Sequence, residues 1–129
     1  MAMMQRPAER TYDDAEVEER LRRELPQWRL ADGHIVRTFR TASWKGALMV
    51  VNTVGHLAEA AWHHPDIMLS YKSGVEVRLT NHAAKGITDK DFALARKIEE
   101  VVMWRPGQEG GALSGTPADP RFAYVTYEG

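Results

Sequence analysis

Hydrophobic residues recur with the period of an α-helix in three segments of the chain. The first segment runs from Asp13 to Leu25 and carries a narrow apolar stripe, in which Val17, Leu21 and Leu25 are spaced four residues apart. Glu–Arg pairs at i, i+4 occupy its other sides, and Pro26 ends it. The spacing predicts a surface helix with one side docked on the rest of the protein.

The second and third helical segments are more apolar. Ser43 is a suitable N-cap for a helix that runs to about Trp62, and Thr88 with Asp91 has the spacing of a capping box before a helix over 89–103. The apolar positions are Ala47, Val50, Val51, Val54, Leu57, Ala58 and Ala61 in the second segment, and Leu94, Ala95, Ile98, Val101 and Val102 in the third. Such faces predict helices that pack against the core.

Extended segments lie between these helices in two pairs. The predicted strands are 27–31, 34–41, 67–71 and 75–81. Asp32-Gly33 is a typical hairpin turn for the first pair, and Lys72-Ser73-Gly74 is the predicted turn of the second. Val75, Val77 and Leu79 alternate strictly with polar residues, which indicates a strand with one face buried. The order αββαββα predicts an α+β fold, in which helices pack against a four-stranded antiparallel sheet.

The chain after the third helix has a different composition. Between Pro106 and Pro120, seven of fifteen residues are Gly or Pro, which excludes a helix or a central strand there. Residues 122–127 are apolar enough to predict a short terminal strand. We therefore expect a single domain over 1–129, with a core at about 12–104 and a C-terminal extension at about 105–129.

Composition and charge exclude several classes of function. The 129 residues include 17 basic and 18 acidic side chains, so the net charge of -1 gives no general field for binding nucleic acid or an anionic membrane. The absence of cysteine excludes disulfides, thiolate nucleophiles and iron–sulfur clusters. No stretch has the length of a membrane span, and the first residues do not resemble a secretory signal. We expect a cytoplasmic protein.

Three histidines lie where secondary structure ends. His63 and His64 follow the second helix, and His82 follows the fourth strand. If these ends converge, imidazoles with an ordinary pKa near 6.5 could act there as acid and base at neutral pH. We interpret His34 and His56 as surface or capping residues. A metal site made from His63, His82 and a carboxylate is an alternative, although no H-x-x-x-H or H-x-H spacing supports it.

Other chemistries have less support. The sequence contains no G-x-G-x-x-G or Walker pattern for phosphate binding, and no serine lies in a G-x-S-x-G context. Trp28, Trp44 and Trp62 are most simply core or pocket-wall residues, and one of them could stack on a flat heterocycle.

Several linked motifs resemble the pterin-4a-carbinolamine dehydratase family. The motifs are Leu25-Pro26-Gln27-Trp28, Arg37-x-Phe39, Ala58-Glu59-Ala60-Ala61-Trp62-His63-His64-Pro65-Asp66, Tyr71, Leu79-Thr80-Asn81-His82 and Gly86-Ile87-Thr88-x-x-Asp91. They occur in the family's order and nearly its spacing over about residues 12–104.

The resemblance implies a fold, a reaction and a set of roles. The implied fold has a four-stranded antiparallel sheet with helices on one face, assembled as homodimers or homotetramers. The implied reaction dehydrates 4a-hydroxytetrahydropterin to quinonoid dihydropterin in tetrahydropterin recycling, with no metal or organic cofactor. The implied catalytic residues are His63, His82 and Asp91, and the implied substrate-binding residues are His64, Glu59 and Trp28.

The sequence departs from the family pattern in three places. The hairpin turn at 72–74 is one residue longer than usual, Asn81 replaces the threonine that precedes the family histidine, and the tail from about 105 is additional. Relatives of this family also act as a dimerisation cofactor of a transcription factor or as assembly factors. A non-catalytic interaction protein on the same fold is therefore the alternative function.

Overall fold

The helices and strands follow the order αββαββα, as the hydrophobic pattern predicts. The computed structural model describes residues 9–72 and 74–127. Within these ranges the elements are α1 Asp14–Glu24, β1 Arg29–Ala31, β2 His34–Phe39, α2 Trp44–Ala61, β3 Asp66–Ser70, β4 Gly74–Leu79 and α3 Asp89–Val102. Short 3-10 turns at Pro106–Gln108 and Pro120–Phe122 follow α3. The predicted α+β class is confirmed.

The four strands form one antiparallel sheet in the order β1-β2-β4-β3. The central pair, β2 and β4, runs in register from Ile35 opposite Leu79 to Phe39 opposite Val75. Because β2 begins where β4 ends, the start of β2 lies beside the segment that carries His82.

The helices cover one face of this sheet. Ile35 and Phe39 of β2, together with the apolar side chains of β4, are fully buried in a single cluster with the apolar sides of α1, α2 and α3. The opposite face carries polar pairs, among them Thr38 opposite Glu76. In β4 the apolar side chains face the helices, whereas Glu76 and Arg78 on the opposite face are partly exposed, and this difference explains the strict alternation.

Each helix begins at a capping residue, and for α2 and α3 it is the residue that the sequence indicates. Asp13 and Glu16 form a reciprocal capping box on α1, in which the Glu16 N–H donates to Asp13 Oδ1 at 2.8 Å. Ser43 Oγ accepts the Gly46 N–H at 3.0 Å at the start of α2. At the start of α3 the Thr88 N–H donates to Asp91 Oδ2 at 2.8 Å. These bonds satisfy amides that a helix leaves without partners in its first turn.

The segment before α1 is joined to the start of α3. Tyr12 forms a backbone bridge with Ile87, and its hydroxyl donates to Asp89 Oδ1 at 2.7 Å. Arg20 of α1 donates to the same oxygen at 2.7 Å. These two hydrogen bonds hold the pKa of Asp89 below its ordinary value. They place the N-terminal segment beside the part of α3 that contains Asp91.

The second hairpin differs in detail from the prediction. Gly74, predicted to lie in the turn, is the first residue of β4, and Ser73 lies outside the described residues. Gly74 has a φ of 93°, and a Cβ there would lie 2.2 Å from the Phe39 carbonyl oxygen. Glycine is therefore required both by the backbone and by the close approach of β2. The predicted strand to residue 81 ends at Leu79, and the backbone of Asn81 forms an isolated β-bridge with Gly86.

The prediction of a terminal strand at 122–127 is wrong. This segment continues from a 3-10 turn into irregular backbone, with Thr126 N donating to the Arg40 carbonyl oxygen at 2.8 Å. Its side chains pack on helix ends instead: Val125 is buried in the core, and the Tyr124 hydroxyl donates to the carbonyl of Val102. The apolar character that suggested a strand is explained by this docking.

Candidate active site

A left-handed turn at the end of α2 sets the direction of His63. Trp62 has a φ of 53° and is largely exposed, and the His63 N–H donates to the Ala58 carbonyl oxygen at 3.1 Å. This is the hydrogen-bonding pattern with which helices commonly end, although glycine usually occupies the left-handed position. Pro65 then keeps the chain out of helical geometry. The turn points the two histidines in different directions.

His63 is paired with a buried carboxylate. Its Nε2 lies 2.6 Å from Asp91 Oδ1, and the side chains of His63 and Asp91 are 13% and 0% exposed. Because the carboxylate accepts, Nε2 carries the proton in this pair, and Nδ1 is the ring atom left for exchange with another group. Asp91 is fixed in turn by its Oδ2, which accepts the Thr88 N–H. One carboxylate thus caps α3 and orients an imidazole.

Asn81 connects this pair to the loop that carries His82. Its side chain is buried, and Asn81 Nδ2 lies 3.3 Å from Thr88 Oγ1. Its Oδ1 accepts the Ala84 N–H at 3.0 Å, which closes the turn over residues 82–85. His82 is the exposed first residue of that turn. The residue that departs from the family pattern therefore shapes the backbone beside a predicted catalytic histidine.

His64 and Glu59 form a second, exposed pair. His64 Nε2 donates to Glu59 Oε1 at 2.8 Å, and both side chains are more than half exposed. The Trp62 ring lies edge-on to the His64 ring, with centroids 5.2 Å apart. The pair is therefore accessible from solvent, whereas the His63–Asp91 pair lies beneath the surface.

Two polar residues that the sequence did not indicate lie beside these groups. Glu9 accepts a hydrogen bond from Asn81 Nδ2 and pairs with Lys90 Nζ at 2.5 Å. The hydrogen bond from Lys90 lowers the pKa of Glu9 below its ordinary value, and nearby His63 acts in the same direction. Glu9 lies in a segment without hydrophobic periodicity, so no pattern could indicate its contact with α3.

Lys90 lines three clefts, of which two are large enough to hold a small molecule. One, of about 480 Å³, lies between α2 and α3, and its wall includes His63, Trp62 and Lys97 among mainly apolar side chains. The other, of about 350 Å³, is lined by Glu9, Asn81, Ala83, Ala84 and Lys90. Both volumes fall in the range of about 300–1,000 Å³ that is usual for small-molecule sites. The clefts provide room for a bicyclic ligand at this end of the molecule.

Trp28, which the resemblance implies as a substrate-binding residue and the residue type indicates as a core or pocket-wall residue, lies in the core. Its side chain is 3% exposed in the core, and its Nε1 donates to Glu99 Oε1 at 2.8 Å. Buried Arg37 donates to the same oxygen, also at 2.8 Å. Glu99 lies eight residues after Asp91 on α3, or about 12 Å along the helix axis. The cluster of Trp28, Arg37 and Glu99 ties β1 and β2 to α3 away from the histidines.

Most of the sequence matches a known family. Residues 10–101 match the family model described as pterin 4 alpha carbinolamine dehydratase. The chain belongs to this family. The matched range includes every residue of the site described above except Glu9.

Individual members of the pterin carbinolamine dehydratase family are also similar to this chain. An inferred pterin-4-alpha-carbinolamine dehydratase of Aquifex aeolicus is 46% identical over 88 residues, which cover 66% of this chain and 88% of that protein. An inferred member of Chloroflexus aurantiacus is 48% identical over 89 residues, which cover 69% of this chain and 94% of that protein. Both proteins are thus matched over most of their length.

A solved structure of this family has the same fold. The protein of Brucella melitensis described as a transcriptional coactivator/pterin dehydratase superposes with a TM-score of 0.64 at 27% identity. The match covers 72% of this chain and 99% of that one. It supports the assignment of the α+β fold to the family.

Neither a metal-ligand cluster nor a membrane-spanning helix is found among the described residues. No group of three or more His, Asp or Glu side chains is placed to hold a metal ion within residues 9–72 and 74–127. Over the same ranges, no helix has the length and apolar character needed to cross a bilayer.

Proposed function

We propose that this protein catalyses the dehydration of 4a-hydroxytetrahydropterin to quinonoid dihydropterin, and so recycles a tetrahydropterin cofactor. The hydrogen bond of 2.6 Å between His63 and buried Asp91 carries the proposal. It provides an oriented imidazole at the edge of a cleft, in a chain whose family is named for this chemistry.

The reaction needs one proton donor and one proton acceptor. The C4a–O bond breaks, the departing hydroxide receives a proton and leaves as water, and a ring nitrogen of the pterin loses a proton. The reaction involves no net oxidation or reduction. We assign the two proton transfers to His63 and His82, since general acid–base catalysis by a positioned imidazole contributes about 10²–10⁴-fold. Asp91 holds His63 in one tautomer.

Substrate binding is assigned to the exposed pair and the clefts. His64 and Glu59 lie at the surface near the end of α2, where they can donate to and accept from the polar edge of a pterin. The apolar wall between α2 and α3 can cover a flat ring. We leave Trp28 out of the proposed binding site because it is buried and bonded to Glu99.

The decay of enzymatically generated 4a-hydroxytetrahydropterin, followed by ultraviolet absorbance, tests the proposal. We expect the purified protein to accelerate the decay above the spontaneous rate, and His63→Ala to remove most of that acceleration. His56→Ala is the matched control, because His56 is an exposed histidine on α2 outside the proposed site. A wild-type protein that leaves the spontaneous rate unchanged would overturn the proposal.

A non-catalytic interaction protein is the second candidate, favoured by the coactivator description of the Brucella melitensis protein. Trp44, Leu48 and Met49 of α2 are 50%, 41% and 45% exposed, which is unusual for large apolar side chains on one helix. We propose that this surface supports assembly as a homodimer or homotetramer. Light scattering after size-exclusion chromatography measures the assembly, and an assembled but inactive wild-type protein would favour the second function.

A further inference from the structure

The side chain of His82 contacts another imidazole, whereas the other two histidines of the proposed site are each bonded to a carboxylate. His63 is bonded to Asp91 and His64 to Glu59. Among the described residues, the contact made by the His82 side chain is with another imidazole, that of His34. The two rings meet edge to face, with centroids 6.4 Å apart and planes at 71°. This is a favoured arrangement for aromatic rings.

The strand register explains why these two residues meet. Ile35 of β2 lies opposite Leu79 of β4 in an antiparallel pair, so His34 lies opposite the residue that follows Leu79. His82 comes three residues after the end of β4, on the adjoining turn. The pairing of β2 with β4 therefore places His34 at the base of the loop that carries His82.

His34 is better fixed than the residue it contacts. It is half-buried, and its Nδ1 lies 2.9 Å from the carbonyl oxygen of Asp32. Since a carbonyl only accepts, Nδ1 carries the proton and the ring orientation is set. His34 follows the two-residue turn between β1 and β2, in which Asp32 and Gly33 have positive φ angles of 51° and 75°. Such two-residue turns hold the ends of a hairpin in a defined geometry.

We propose that His34 is a positioning residue for His82. This inference rests on the proposed function, in which His82 transfers a proton. No hydrogen bond joins the two rings, so the contact restricts the orientation of the His82 ring and does not relay a proton. Any aromatic ring at position 34 should then be sufficient to orient the His82 ring, whether or not that aromatic ring can be protonated. His34 does for His82 by packing what Asp91 does for His63 by hydrogen bonding.

Two variants of the full-length protein separate packing from proton transfer. His34→Ala removes the ring, and His34→Phe keeps a ring without an exchangeable proton. In the dehydration assay we expect His34→Ala to lower kcat about tenfold with little change in KM, a fraction of what general acid–base catalysis contributes. We expect His34→Phe to stay within about threefold of wild type by the same reasoning. His56→Ala is the control for removing a histidine, and circular dichroism verifies folding.

Nuclear magnetic resonance of the His82 ring gives a readout that does not depend on activity. In protein with isotopically labelled histidine, the His82 ring protons should be displaced by the ring current of residue 34 in wild type and in His34→Phe. In His34→Ala, the chemical shifts of these protons should move to the averaged values of a ring that samples several orientations. Unchanged His82 signals and wild-type kcat in His34→Ala would overturn the inference, and so would a His34→Phe variant as impaired as His34→Ala. An inactive wild-type protein with the displaced signals would refute the proposed function, and with it the positioning of a catalytic His82 by His34, while confirming the ring contact.

Discussion

His63 Nε2 and Asp91 Oδ1 are 2.6 Å apart, although the two residues are 28 positions apart in the chain. The contact joins the end of α2 to the first turn of α3. Asp91 has no exposed surface, and among the described residues its two oxygens accept from the His63 imidazole and from Thr88 at the helix cap. One carboxylate therefore both orients the His63 ring and caps α3.

Replacing this carboxylate by an amide separates its two roles. In Asp91→Asn the amide oxygen can still accept the Thr88 N–H, so we expect the fold to be retained. The negative charge facing His63 is lost, and we expect kcat to fall on the order of 10–100-fold with a smaller change in KM. Asp89→Asn is the matched control, because Asp89 lies on the same helix but bonds to Tyr12 and Arg20. Equal kcat in the two variants would contradict the role of Asp91.

The three histidines should differ in which kinetic constant they control. His63→Ala and His82→Ala should mainly lower kcat, because proton transfer acts in the transition state. His64→Ala should mainly raise KM, because its exposed pair with Glu59 suits binding. Steady-state kinetics of the three variants measure this division. Near-normal kcat in both His63→Ala and His82→Ala would show that the acid and base are other groups.

Chelation should leave the reaction unchanged. Within the described ranges no three ligand side chains converge on one point, and the imidazole of His63 is already engaged by Asp91. We expect the rate of dehydration after dialysis against EDTA to equal that of untreated protein. A rate that collapses on chelation and returns with zinc would require a metal-dependent mechanism.

The C-terminal segment should contribute to stability and not to catalysis. Val125 is 1% exposed, and burial of a side chain of this size stabilises by about 1.5–3 kcal/mol. Deleting residues 106–129 should therefore lower Tm by roughly 5–10 °C, while kcat per folded site stays within about threefold. Val125→Ala should reproduce part of the loss, and Phe122→Ala, at a position 57% exposed, should not. A folded truncation without activity would show that the segment takes part in the site.

Tyr124 should make stability sensitive to alkaline pH. Its burial beside the end of α3 raises the pKa of its phenol above the ordinary value, and Tyr127 acts in the same direction. A group whose pKa is higher in the folded protein contributes stability that is complete below the unfolded pKa near 10. That contribution is lost as pH rises through the folded pKa. Unfolding free energies of wild type and Tyr124→Phe, measured between pH 8 and 11, should differ progressively less as pH rises.

The helices and strands of this fold could be predicted from the sequence, because hydrophobic periodicity and capping are local patterns. The i, i+3 and i, i+4 spacing of apolar residues in α2 and α3 was sufficient to place both helices to within about a residue or two. Ser43, Thr88 and the Asp32-Gly33 turn marked boundaries for the same reason. The linked histidine motifs identified the family, since they record residue types and spacing.

Which of those residues contact one another depends on how the helices and strands pack. The Thr88–Asp91 spacing indicated a helix cap, and nothing local to it indicated His63. His34 reaches His82 through the register of β2 on β4, and Trp28 reaches Glu99 through the packing of the sheet on α3. The apolar end of the chain suggested a strand, yet its side chains dock on helix ends. A local pattern fixes the shape of a segment, whereas partners distant in sequence are chosen by how the segments pack.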